Sequence, residues 1–129
     1  MTEVKTTNRH ADICVAFLNQ IPRAFFFMDL SGVISYWNQH AEVLLGLKAE
    51  EVIGKRPSDV MMPKSMKGVG DEIRTILQKV GQWQGELLVQ KKNGDIFPAH
   101  VEVTLIKDAQ ERPDFFLCMG WDISEQKSL

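Results

Sequence analysis

The stretch WQGELLVQKKNGDIFPAHVEVTLI, residues 83–106, decides the fold. Two extended runs flank Lys92-Asn93-Gly94-Asp95, and Asn-Gly suits a tight hairpin turn because both residues tolerate positive φ. In the second run Phe97, Ala99, Val101, Val103 and Leu105 alternate with Pro98, His100, Glu102 and Thr104. Successive strand side chains point to opposite faces, so one face of this hairpin is buried.

Beyond the hairpin, KDAQERPD (107–114) is a polar turn and Phe115 to Trp121 reads as the final strand. That apolar run gives way abruptly to Asp122-Ile123-Ser124-Glu125-Gln126-Lys127, as though a helix were starting, so residues 125–129 are expected to begin a linker. Before the hairpin, a helix is predicted from Ser65 with Val69, Ile73, Ile76, Leu77 and Val80 on one face and Gly81 as its stop. Gly68 and Gly70 fall in its first turns, each costing about 1 kcal/mol against alanine, so that half should be the softest helical segment.

Earlier still, Ala24 to Met28 is rich in strand formers, Asp29-Leu30-Ser31-Gly32 carries turn chemistry, and Val33 to Trp37 reads as a second strand. Asn38 is a good N-cap for a helix through Ala41, Leu44 and Leu45 that stops at Gly46. KAEEVIG (48–54) is a second short helix, and KRPSDVMMP (55–63) has room for little more than one turn. Asn8 to Ile21 reads as an amphipathic helix, with Ile13, Phe17 and Ile21 at spacing four and Cys14 and Leu18 beside them. The order is one helix, two strands, several helices and three strands. Pairing the first strand with the last in one antiparallel sheet makes the class α+β.

The bulk numbers agree with one domain. The chain has 129 residues, 44% of them apolar and 25% charged, long enough for a core without disulfide staples. Its net charge is −2 and its basic residues form no stripe, which argues against nucleic acid as a partner. The longest apolar runs are too short to cross a bilayer, and the first residues lack signal-peptide character, so a cytoplasmic location is expected. Cys14 and Cys118 lie far apart in sequence and are read as reduced thiols.

This succession of elements resembles the PAS sensory domain family. The resemblance is carried by FFFMDLSGVISYWN (25–38), AEVLLGLKAEEVIGK (41–55), GQWQGEL (81–87), KKNGDIFPAHVEV (91–103) and WDISEQ (121–126), which together span about residues 22–126. It implies a five-stranded antiparallel sheet with helices packed over one face, a flanking segment at 1–21, a domain at 22–124 and the linker start at 125–129. Asp122-Ile123-Ser124 matches the Asp-Ile-Thr type motif that joins such a sheet to a linker helix, with serine in the threonine position. With Trp121 it would form the signal exit toward an effector on the same chain: a histidine kinase, a cyclic-nucleotide enzyme or a transcription regulator.

Along the last strand Phe116, Cys118 and Gly120 share one face, and Phe115, Leu117, Met119 and Trp121 share the other. The small residues suit a cavity wall under the helices. The predicted pocket is therefore Ile73, Leu77, Phe97, Val101, Val103, Phe116, Cys118 and Gly120. The bulky face, with Ile13, Phe17 and Ile21 of the first helix and Leu117 and Met119 of the strand, is expected to be covered by that helix or by a second copy in a homodimer.

The resemblance also bears on cofactors. Photochemical flavin domains of the family use a cysteine whose place falls on Pro57 and a glutamine whose place falls on Gly120, so adduct chemistry is excluded. Trp83 before Gly85 matches a feature of redox flavin sensors but also serves as packing in many PAS domains. MMPKSMKGVGDEI (61–73) resembles the run that carries the haem histidine, but that place falls on Gly70. His10, His40 and His100 lie elsewhere and read as surface residues, and no His/Cys spacing fits a metal. The inner wall carries no basic group; Arg56, Lys67 or Arg74 could enter from the helices, although long basic side chains there are usually solvated, so an apolar or weakly polar ligand or a filled core fits better.

Catalysis finds no support. Asp71-Glu72 and Glu50-Glu51 are adjacent and diverge around a helix; Ser31, Ser35 and Ser58 have no triad pattern; and there is no glycine-rich phosphate loop. The sequence reads as a non-enzymatic sensor or regulatory domain. The alternatives are a constitutive dimerisation module with a filled core and, beyond that, a flavin redox sensor.

Overall fold

A computed structural model describes residues 22–125, together with Ala16 and Gln20. The expected helix at residues 8–21, with Ile13, Phe17, Ile21, His10 and Cys14, lies otherwise outside the described residues. Five strands form one antiparallel sheet: β1 (Ala24–Met28), β2 (Ile34–Trp37), β3 (Gln82–Gln90), β4 (Ile96–Lys107) and β5 (Pro113–Asp122). Their spatial order is β2-β1-β5-β4-β3, so the first and last strands pair at the centre, Phe26 opposite Cys118. Helices α1 (Gln39–Leu45), α2 (Ala49–Val52), α3 (Pro57–Val60) and α4 (Val69–Val80) come between β2 and β3. This is the α+β class expected from the sequence.

The alternation along β4 places Phe97, Ala99, Val101 and Val103 on the buried face, where they join Phe26, Met28, Val89, Phe116 and Cys118 of the other strands. Ala41, Leu45, Leu47, Val52 and Leu77 close this core from the helical side. Each large apolar side chain so buried contributes about 2 kcal/mol. Backbone hydrogen bonds tie the layers together: Gln90 N–H donates to the Met61 carbonyl and Lys92 N–H to that of Leu45. The outer edge of β2 is occupied at one point, where Ile34 N–H donates to Lys55 O and Gly54 N–H to Ile34 O.

Local chemistry sets the turns. Between β3 and β4 the Lys91 N–H bonds Asp95 O, and Gly94 takes a φ of 98°, the left-handed conformation that its missing Cβ allows. Between β1 and β2 one carboxylate oxygen of Asp29 accepts from Ser31 N–H, Ser31 Oγ and Val33 N–H. That is an Asx turn, and the Ser31 hydroxyl in particular holds the Asp29 carboxyl below its ordinary value.

Two helical expectations need correction. The long helix starts at Val69 and not at Ser65. Lys64–Met66 forms a separate 3₁₀ turn, and Gly68 stands between them with a φ of 87°. A left-handed residue cannot continue a right-handed helix, so Gly68 lies at its boundary rather than in its first turn. The apolar stripe of α4 is also narrower than its sequence implied. Leu77 is buried and Ile73 packs on the core, but Ile76 and Val80 face solvent. At the other end of the chain, β5 extends further than Phe115 to Trp121, taking in Pro113, Asp114 and Asp122.

Candidate functional site: a cavity between sheet and helices

Between the inner face of the sheet and the helices lies a cavity of about 150 Å³. Ile73, Leu77, Phe97, Val101, Val103, Phe116, Cys118 and Gly120 all line it. On β5 the odd-numbered side chains leave for the outer face, so Phe116, Cys118 and Gly120 present a graded wall, large to absent. At Gly120 a Cβ would meet the His100 carbonyl at 3.2 Å and Val101 Cγ2 at 3.6 Å, so even alanine there is tight. The wall also takes in residues outside the pocket expected from sequence: Phe26, Met28, Leu87 and Val89 from the sheet, and Leu44, Met61 and Met62 from the helical side. Methionines with three rotatable bonds make such a wall deformable.

The lining is apolar except in one sector. There Arg56, Ser58, Asp71 and Arg74 join the lining, and Arg56 and Arg74 lie close to Gly32 of the β1–β2 turn. Arg56, which is exposed, and Arg74, which is half-buried, reach the polar edge of the cavity wall from the helical side, and both donate to the Ser31 carbonyl, at 2.5 and 3.3 Å. Lys67 is exposed and not part of this wall. A period-based reading finds apolar faces, and nothing in it reports that two arginines 18 positions apart converge on one carbonyl.

Cys118 is a free thiol buried in this wall, and burial pushes its pKa up to about 12. It is therefore a small apolar lining group rather than a nucleophile. Pro57 and Gly120, at the places of the photochemical cysteine and glutamine, both face the cavity. The space is of a size that holds a benzene-like body, and neither residue supplies a thiol or an amide for flavin photochemistry. Trp83 lies beside the site rather than in it. Its indole covers Gly85 so closely that a Cβ there would stand 2.9 Å from the ring. Among the described residues no group of three or more His, Cys, Asp or Glu side chains is placed to hold a metal.

On the opposite face of the sheet, Phe25, Phe27, Tyr36 and Phe115 form a chain of ring contacts at 4.7–5.9 Å. Leu117 and Met119 stand opposite Phe27 and Phe25, on this same outer face and half-buried. His100 also lies on this face but is not simply solvated. Its ring packs on Trp121 at 4.6 Å, and its Nε2 is 3.1 Å from Glu102. The Arg23 guanidinium covers the other part of Trp121 at 3.8 Å.

Just beyond Trp121, one Asp122 oxygen accepts from Ser124 N–H at 2.8 Å and Ser124 Oγ at 2.5 Å, while Ile123 is buried and its N–H donates to Pro98 O. This is a hydrogen-bonded junction at the end of the strand that walls the cavity. The PAS fold family matches residues 14–123, nearly the whole of the described chain.

The chain belongs to the PAS family.

This PAS domain is 31% identical over 105 residues to a protein of Emericella nidulans called two-component system protein A. That alignment covers 81% of this chain but only 15% of the relative, so the chain matches a small part of a much longer protein. Among solved structures, the PAS domain of a Colwellia psychrerythraea protein superposes with a TM-score of 0.76 at 23% identity, covering 89% of this chain and 98% of that one. The PAS domain of the fruit-fly ELK potassium channel gives a TM-score of 0.76 at 19% identity, covering 88% and 97%. An RNA-binding light-oxygen-voltage receptor gives 0.77 at 16%, covering 91% of this chain and 34% of that one. At these identities the structural likenesses speak for the fold alone. PAS domains are typically sensory modules of signalling proteins, and family membership places this chain among them. No helix among the described residues is long and apolar enough to cross a membrane.

Proposed function

We propose that residues 22–124 are the input module of a cytoplasmic signalling protein that senses a small, largely apolar molecule. The observation that carries this reading is that one strand serves both ends of the relay. Phe116, Cys118 and Gly120 wall the cavity, and two residues after Gly120 the same strand ends in the Asp122-Ser124 junction. A ligand that prefers one packing of this wall shifts the population of that packing. The shift passes through Trp121 and Asp122 into a linker helix starting at 125–129. The name of the Emericella relative favours an output of the two-component kind over a cyclic-nucleotide enzyme or a transcription regulator, on the same chain.

The test begins with gently purified protein, its absorption spectrum and mass spectrometry of a denatured extract. A colourless protein that releases a small organic molecule supports the reading; a flavin or haem band overturns it. In the full-length protein, Asp122→Ala should uncouple output from ligand while leaving Tm nearly unchanged, because the side chain is exposed and caps only the junction. A large loss of Tm would make Asp122 merely structural.

One observation favours a second reading, a constitutive homodimer. The outer face carries Phe27, Tyr36, Phe115, Leu117 and Met119, all half-buried among the described residues, and a continuous aromatic surface of this kind suits an interface. Sedimentation that depends on concentration but not on any ligand would move this reading ahead.

A further inference from the structure

The polar sector of the cavity wall carries information about the head group of the ligand. Arg56 immediately precedes α3, and Arg74 lies on α4. Their guanidinium groups converge on one neutral acceptor, the Ser31 carbonyl. Water screens the repulsion between these two like charges, since Arg56 is exposed and Arg74 half-buried, but both still attract an anion placed at the oxygen they share. The nearby carboxylates do not fill this role. Asp71 bonds Arg74 at 3.3 Å, but its side chain is 85% exposed, and such pairs are weak. Asp29 attracts Arg56 through its charge, but Ser31 and Val33 hold its carboxylate in the turn, and the hydrogen bond of Arg56 goes to the Ser31 carbonyl instead.

Resting on the sensor reading above, we infer that the ligand is an apolar monocarboxylate. Its body, an aryl or short aliphatic group of about six to ten carbon atoms as suits a benzene-scale cavity, lies among Leu77, Phe97, Val101 and Cys118. Its carboxylate replaces the Ser31 carbonyl as the shared acceptor of Arg56 and Arg74. The planar guanidinium fork matches a carboxylate in geometry, and hydrogen bonds between charged partners are about twice as strong as neutral ones. A neutral ligand of the same shape gains the apolar contacts and nothing from the arginines.

Calorimetric titration with three probes tests the assignment: hydrocinnamate, hydrocinnamyl alcohol (the same body without charge) and acetate (the head without a body). Each is titrated into the wild-type domain and into Arg56→Gln/Arg74→Gln. Hydrocinnamate should bind the wild type about tenfold more tightly than the alcohol and lose about tenfold in the double variant. The alcohol should bind both proteins within about twofold, and acetate should bind neither, as expected if binding needs both the apolar body and the charged head. Equal affinity of acid and alcohol for the wild type overturns the head-group assignment and leaves the cavity reading standing. So does an acid affinity unchanged by the two substitutions. If neither hydrocinnamate nor its alcohol binds, the cavity reading fails with it. Should the double variant not fold, Arg74→Gln alone and the fall of the acid-to-alcohol ratio with added salt decide the same question, since a charge-based preference is screened.

Discussion

Asn38 carries more of this fold than its size implies. It is 1% exposed, and its Oδ1 accepts from both Ala41 N–H and Phe25 N–H at 2.9 Å, while its Nδ2 donates to Arg23 O at 3.0 Å. The sequence identified the first of these bonds, the helix cap, because capping is local. The other two join positions 13 and 15 residues away and have no local signature. Asn38→Ala should therefore cost about 3 kcal/mol, a lost cap plus a buried N–H left unsatisfied, and urea unfolding will measure it. A loss of only about 1 kcal/mol would mean that the cap alone matters. Cys118 offers a second check at this scale. With its pKa at about 12, the thiol stays protonated and buried, so a thiol reagent at mildly alkaline pH should label it only on unfolding. Rapid labelling of the native protein would mean that the cavity opens often.

At the level of elements, the strands were the most legible part of the sequence. Alternation along Phe97 to Leu105 named the buried face directly, and Asn93-Gly94 placed the turn. The helical layer was read less well for a definite reason. A hydrophobic period continues through Gly68 on paper, but backbone sign does not appear in a period. Gly68→Ala exposes the difference, because the two readings predict opposite signs. Within a helix alanine would stabilise by about 1 kcal/mol; at a φ of 87° it should instead destabilise by about 1 kcal/mol. The cavity was half legible for the same kind of reason. Its apolar sheet wall follows from alternation, whereas its arginines arrive from α4 and from the residue before α3 through tertiary approach alone.

Across the whole molecule, three carboxylates among the described residues shape the response to acid, Asp29 exposed and Glu51 and Asp108 half-buried. A hydrogen bond from Ser31 lowers the pKa of Asp29, one from Lys92 lowers that of Glu51, and the Arg112 backbone N–H lowers that of Asp108. A folded value below the unfolded one stabilises above the unfolded pKa, which is about 4 for these groups, and that contribution is lost as pH falls through the folded value. The Tm difference between wild type and Asp29→Asn should thus be largest near neutrality and shrink toward zero in acid. A difference that grows in acid would reverse the sign of the shift. One further feature concerns the ends of the sheet. Ala24, at the start of β1, lies opposite Gly120, near the end of β5, in neighbouring antiparallel strands. The whole of the intervening chain is thus a closed excursion that leaves and returns at one point. A module built this way can be grafted into a longer polypeptide, or relinked end to end and reopened at the Asn93-Gly94 turn, with little strain on what surrounds it.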